Sequence, residues 1–268
     1  MIHPTAVIHP GAEVSPSAVV GPYAVIDEHV QLGADCVIGP HVHVTGHTII
    51  GARNRFHASC VIGDSPQDLH YTNAPTGLRI GDDNIFREHV TVHRSNSVEE
   101  DTVLGSGNLL MVGSHVGHNT KIGDQVILTA GALIAGHAVL GDRAIVSGNC
   151  SVHQFTRLGT LSMMQGNSAI SKDLPPFCVS YGINTMAGLN SIGLRRAGFS
   201  SEQRLELRRL YHQLFRNRRI LLRQAVEEAR QAFASEPARL LMDFVAAAKR
   251  GICADKAGSR KTGSTEED

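Results

Sequence analysis

Four histidines, His115, His118, His137 and His153, crowd the middle of the chain, and the last three fall at nearly even intervals. A lone histidine usually has a structural role. Three at near-constant spacing beside Gly136 and Gln154 point instead to a site, provided that the backbone returns to the same place at about that interval. Two chemistries could use them. A neutral imidazole can act as general base, taking the proton of a hydroxyl whose oxygen attacks a thioester, while a glycine N–H stabilises the oxyanion. Alternatively, three imidazoles can hold zinc and leave a position for hydroxide, the carbonic-anhydrase type of site.

The required element is written in the sequence. Counting every sixth residue from Ile2 to Ile170 visits 29 positions, and 27 are Ile, Val, Leu, Met or Phe, with only Asp68 and Ala74 breaking the series. This is the hexapeptide repeat of a parallel β-helix, in which three hexads close a triangular coil with the repeated aliphatic inside and Gly easing the corner. The expected fold is an all-β solenoid plus α: a left-handed parallel β-helix with a C-terminal α-helical region. Residues one coil apart in sequence then lie above one another, so His118, His137 and His153 should line one edge of the prism. Between Ile62 and Ile80 the stretch DSPQDLHYTNAPTGLR has no aliphatic in phase and reads as a loop replacing part of a coil.

The domain reading follows from where the period stops. Residues 1–175 are expected to form the β-helix, with the loop excursion at 64–79. Residues 176–250 form a connector and helical domain, and 251–268 a disordered tail. Ser200 and Gln203 can form a capping box ahead of a stripe running from Leu207 through Leu210, Tyr211 and Leu214 to Leu221 and Leu222. A second helix is expected from about Pro237 to Lys249. The chain balances 25 basic against 25 acidic side chains, yet residues 195–223 hold nine Arg and two Glu, a local excess of 9 − 2 = +7 suited to an acidic partner or phosphates. Five scattered cysteines encode neither a disulfide framework nor a thiolate zinc site and should be buried thiols. No apolar run is long enough to cross a bilayer and no leader is evident, so a cytoplasmic protein is expected.

Specific stretches carry a resemblance: IGDSPQDLHY (62–71), REHVTVHR (87–94), GSGNLLMVGSHVGHNTKIGD (105–124), LIAGHAVLGD (133–142), SVHQFTRLG (151–159), KDLPPF (172–177) and LNSIGLRRAGFS (189–200). In this order they resemble the acyl-[acyl-carrier-protein]:UDP-N-acetylglucosamine O-acyltransferases that begin lipid A synthesis. The resemblance implies a homotrimer with active sites between neighbouring prisms. A (R)-3-hydroxyacyl chain would pass from acyl carrier protein to the glucosamine 3-hydroxyl of UDP-N-acetylglucosamine. His118 matches the general base and Gly136 the oxyanion donor. Asp68, His115, His137, His153 and Gln154 match substrate contacts, Asn190 and Arg196 the uridine and phosphate contacts, and Gly166 the end-stop of the acyl groove. No cofactor, metal, nucleic acid or transmembrane segment is implied.

The chain departs from the family pattern at four places. Asn119 follows the base where Asp is common, His70 replaces a frequent Lys, Ile192 stands where an acidic residue is common, and Ala197 interrupts an Arg pair. A sister N-acyltransferase normally carries a domain ahead of its coils, whereas these hexads begin at Ile2. A UDP-sugar with a 3-amino group would be served by the same base and remains an alternative acceptor.

Overall fold

The computed structural model describes residues 1–217 and 220–258. Its first two-thirds is the expected left-handed β-helix, whose three faces are parallel sheets made of very short strands. Leu110 pairs with Leu128, Leu128 with Val146 and Val146 with Met164, each exactly three hexads further along the chain. All four are fully buried, so the aliphatic of each hexad points into the prism and stacks on its equivalents. Phe56 and Phe86 take two of these positions and stack at 4.5 Å inside the coil.

Three successive corner residues obey different constraints. The residue after the inward aliphatic is pressed against the next coil: a β-carbon on Gly33 would lie 2.4 Å from Gly51 O, and one on Gly141 2.7 Å from Thr160 N. Glycine is therefore selected here by close stacking of backbones, not by the bend of the corner as the sequence suggested. The next residue's N–H points away from the ladder, so proline costs nothing there, and Pro4, Pro10, Pro16, Pro22 and Pro40 occupy it. The third takes the left-handed conformation, with φ of 56° at Asn119, 58° at His137 and 62° at Phe155.

Two excursions leave one corner, between the first face (Val7–Ile8 to Ala169–Ile170) and the second (Glu13–Val14 to Arg157–Leu158). Ile50 pairs with Ile80, whereas a plain coil would carry it only to Asp68, so the loop after Asp64 inserts two extra hexads rather than replacing part of a coil. Ile80 in turn pairs with Leu104, whereas a plain coil would end at Val98, which marks a second insertion, one hexad long, between His93 and Thr102. Both insertions are whole hexads, so the apolar phase survives them. Val98 keeps the period yet is 64% exposed, outside the prism.

Stacking through these lengthened coils is held by buried asparagines. Asn54 Oδ1 accepts from the N–H and side chain of Asn84, Asn84 Oδ1 accepts from Asn108 N–H, and Asn108 Oδ1 accepts from Val126 N–H.

The third face continues past the expected boundary. Cys178–Tyr181 adds to Met163–Met164, Thr185–Leu189 returns antiparallel, and Ala254–Asp255 joins as the last strand. Gly251 to Asp255 is thus part of the packed structure rather than tail, with Cys253 and Asp255 buried, and Lys256–Gly258 follow as a short 3-10 turn; residues 259–268 of the expected tail lie outside the described residues. Helix α1 spans Ser191–Arg196, α2 Ser201–Phe215, α3 Leu222–Ala232 and α4 Glu236–Ala246. The Ser200–Gln203 capping box starts α2 as expected. The stripe ends at Leu214, however: Leu221 is 79% exposed and precedes α3, a separate helix. Leu207, Leu210, Leu214, Val226, Leu241 and Val245 form a second core. Arg157 ties it to the prism, bonding buried Asp173 (Nε to Oδ2, 2.8 Å) and the Phe244 carbonyl (3.0 Å). All five cysteines are buried and unpaired. No helix among the described residues is long and apolar enough to cross a membrane.

Candidate active site

Three consecutive coils build the site at the corner carrying both excursions. His115 pairs with Leu133 and Leu133 with Ser151, which stacks Gly117-His118-Asn119 under Ala135-Gly136-His137 and these under His153-Gln154-Phe155. The three histidines therefore occupy successive corner positions and do not form the single file that their spacing suggested. Directly above His118 sits Gly136. A β-carbon there would lie 2.7 Å from His118 Nε2, so only glycine lets this imidazole occupy its place. The Gly136 N–H belongs to the corner position that the ladder leaves unpaired, and it has no acceptor among the described residues. His137 meets His118 edge to face at 5.2 Å and stacks on Phe155 at 4.5 Å. His153 is exposed, with Nδ1 3.1 Å from the Gln154 carbonyl.

The excursions close around the imidazole. His118 Nδ1 lies 2.8 Å from Oδ1 of buried Asn119, whose backbone N–H donates to Thr102 and whose Nδ2 donates to Ser95 Oγ. The Asn96 backbone N–H donates to Asn119 Oδ1 at 3.0 Å, and its side chain donates to Asp68 Oδ2 at 2.7 Å. Asp68, on the longer loop, also accepts from His70 N–H. These bonds, that of His70 first, hold its carboxyl down at about 2. Arg94 bonds Gly63 O and Ser65 Oγ, fastening the longer loop to the shorter.

A groove lined by His93, His115, His118, Leu133, Ala135 and Ala169 runs across the first face from this corner. His115 Nδ1 lies 2.7 Å from Thr91 Oγ1, and burial, then the neighbouring His93 and His118, pushes its pKa down to about 4. His93 meets it edge to face at 5.0 Å. Burial lowers the pKa of His93 too, and its Nδ1 has no partner among the described residues. Burial thus disfavours the charged form of both imidazoles.

His118, Gly136, Asp68, His115, His137, His153 and Gln154 are thus brought together, while three other expected site residues are not. Gly166 is exposed at the opposite corner of the first face. Asn190 and Arg196 line a groove on the third face with Arg143, Met163 and Ile192. Asn190 is already engaged, accepting from Gly193 N–H as the N-cap of α1 and donating to Leu161 O. Sequence reasoning missed Ser95 and Asn96, hidden in a one-hexad insertion that keeps the period, Thr102, which starts the strand after it, and Arg143, for which no motif spoke.

The donor set does not fit the zinc alternative. His118 and His137 present edge to face rather than converging, His153 is turned to its neighbour's carbonyl, and no three His, Cys, Asp or Glu among the described residues are grouped to hold a metal ion.

The chain is similar to known proteins over nearly its whole length. The profile described as Udp N-acetylglucosamine O-acyltransferase, Domain 2, matches residues 173–253, and the bacterial transferase hexapeptide profile matches 29–64 and 101–136. The acyl-[acyl-carrier-protein]–UDP-N-acetylglucosamine O-acyltransferase of Psychromonas ingrahamii is 51% identical over 254 residues, covering 94% of this chain and 97% of that protein. The enzyme of the same name from Akkermansia muciniphila is 44% identical over 267 residues, covering 94% and 98%. A crystal structure of UDP-N-acetylglucosamine O-acyltransferase from Moraxella catarrhalis superposes with a TM-score of 0.90 at 38% identity, covering 94% of this chain and 99% of that one.

Proposed function

The chain belongs to the family of acyl-[acyl-carrier-protein]–UDP-N-acetylglucosamine O-acyltransferases, and from that premise we propose how its site works. The protein transfers an acyl chain from acyl carrier protein to UDP-N-acetylglucosamine, the first step of lipid A synthesis. The observation that carries the mechanism is the close approach of His118 Nε2 to Gly136, whose N–H has no acceptor among the described residues, at the mouth of a partly apolar groove. The glucosamine 3-hydroxyl gives its proton to His118 Nε2 as its oxygen attacks the thioester carbonyl of a (R)-3-hydroxyacyl group. The carbonyl oxygen, now negative, is held by the Gly136 N–H. When the tetrahedral centre collapses, the carbon–sulfur bond breaks and His118 returns the proton to the departing thiolate. Asp68, His137, His153 and Gln154 hold the sugar around this point.

The active unit is a trimer, and the reading rests on two observations. Outward positions of the third face form a largely aliphatic ladder, Val19, Val37, Ile85, Leu109, Ile127, Ile145 and Met163, interrupted by Arg55 between Val37 and Ile85, that solvent would not favour. The groove at His118 and the groove at Arg196 also lie on different faces. Packing the first face of one prism on the third face of the next closes a ring of three and brings the two grooves together. Acyl carrier protein then supplies its substrate in the cytoplasm.

The test incubates the purified protein with UDP-N-acetylglucosamine and 3-hydroxyacyl-acyl carrier proteins of several lengths. Mass spectrometry should show a 3-O-acyl product and release of the carrier thiol. His118→Ala should lower turnover by at least about 10²-fold, the size of a general-base contribution, with the trimer intact. Dependence of activity on added zinc, or acylation only of a 3-amino sugar, would contradict this reading.

A further inference from the structure

The amide of Asn119 has an accepting end and a donating end, and the end that faces His118 decides which imidazole nitrogen carries the proton. A carboxylate would accept at both ends and leave nothing to decide. Here the outcome is set by the shorter excursion. Ser95 Oγ receives the N–H of Ser97 at 3.0 Å and donates its own proton to the Ser97 carbonyl at 2.9 Å. Its hydroxyl can therefore only accept from Asn119, which turns Nδ2 toward Ser95 at 2.7 Å. The opposite end meets the backbone N–H of Asn96, a donor of fixed polarity, at 3.0 Å, so that end must be Oδ1. Oδ1 is also the atom 2.8 Å from His118 Nδ1. The imidazole must then donate from Nδ1 and keep a lone pair on Nε2, the nitrogen that faces Gly136.

We propose that Ser95, its hydroxyl committed to Ser97, is a positioning residue that sets the tautomer of His118 through the orientation of the Asn119 amide. Ser95 and Asn119 are buried, at 0% and 2% exposure, so water does not substitute for either partner. The pair does by polarity what an acid at 119 would do by charge. Removing the hydroxyl leaves the Asn96 N–H alone to hold the amide in this sense, so that the amide turns over in part of the population, which places the proton on Nε2 and silences the base in those molecules. This role rests on the proposed acyl transfer, but the tautomer is a property of the resting protein and is measurable without substrate.

The experiment records the imidazole ¹⁵N spectrum of the folded protein at alkaline pH, where protonated and bare ring nitrogens resonate far apart. Wild type should show His118 protonated on Nδ1. Ser95→Ala should show a mixture, with kcat reduced about tenfold, the factor equivalent to one hydrogen bond, and KM nearly unchanged. In an Asn119→Asp background the same Ser95→Ala change should move neither the tautomer nor kcat by more than about threefold, because a carboxylate has no donating end. A wild-type His118 protonated on Nε2 would overturn the proposal even if Ser95→Ala failed to fold, and so would equal losses in both backgrounds. A protein with the expected tautomer that acylates no sugar would instead contradict the proposed function and leave this inference standing.

Discussion

A β-carbon added to Gly136 would stand 2.7 Å from Nε2 and 2.8 Å from Cε1 of His118, so the proposed oxyanion donor and the proposed base share one space that only glycine leaves open. Gly136→Ala should keep the corner N–H and the fold but displace the imidazole. Turnover should fall by about 10²-fold, the scale on which a misplacement near 1 Å acts, while the thermal transition moves little. Unchanged kcat in a correctly folded variant would separate the two residues.

His115 gives the protein an acid-side weakness. Its proton is bound near 6.5 in the unfolded chain but only near 4 in the fold, because burial and then His93 and His118 oppose the charge. Above the unfolded value both states are neutral and nothing changes. As pH falls from 6.5 toward 4 the unfolded state takes up the proton first, so stability drops, by about 1–2 kcal/mol near pH 5 after allowing for solvent in the groove. His93, also lowered by burial, adds to the same slope. Urea unfolding near pH 7.5 and pH 5 should show this loss in wild type and a smaller one in His115→Gln. Parallel losses would assign the slope elsewhere.

Asn84 joins coils of unequal length, bonding Asn54 and receiving the N–H of Asn108 in the buried interior, and donating to Gly105 O in a part-buried bond. Asn84→Ala leaves several of these groups without a partner. The expected cost is about 2–3 kcal/mol in denaturant unfolding, with acyl transfer per folded molecule preserved. A loss below about 0.5 kcal/mol, the range of ordinary surface changes, would show the ladder to be incidental.

If the acyl groove of the proposed trimer ends at Gly166, that end carries no side chain. A β-carbon there meets only Gly148 O, at 3.5 Å, so a larger residue fits without rebuilding the corner. With glycine, donors longer than about ten carbons should be preferred, since two further buried methylenes are worth about 1.6 kcal/mol, or some fifteen-fold. Gly166→Met should shift the preference toward shorter chains. Equal use of all lengths by both proteins would remove Gly166 from chain selection.

The hexad period made the prism, its three faces and the stacking of residues around His118 legible, because every sixth side chain must be apolar to enter the core. The same rule concealed the shorter excursion. An insertion of one whole hexad leaves Val98 in phase, and nothing in the pattern says that it has left the prism. Ser95 and Asn96 went unseen for that reason, although they hold Asn119. The zinc alternative could not be settled by spacing either: the step from His118 to His137 overshoots one coil and the step from His137 to His153 falls short of one, enough to turn three imidazoles to different directions. The return of Gly251 to Asp255 onto the third face depends on pairing with Thr185–Leu189, a contact between segments far apart in sequence that composition does not encode.

The prolines of the early coils have a consequence for how such a protein acquires chemistry. Each corner of the solenoid generates one backbone N–H with no place in the ladder, so the scaffold carries a series of ready anion donors whether or not any is used. Proline at positions 4, 10, 16, 22 and 40 erases the donor where nothing is to be bound. The side chains of Asp124 and Asp142 quench others by accepting the N–H of Ser106 and of Asp124. At Gly136 the donor is neither erased nor quenched. A new reactive centre on this architecture would need no loop to be invented, only one corner uncapped and an imidazole placed one coil below it.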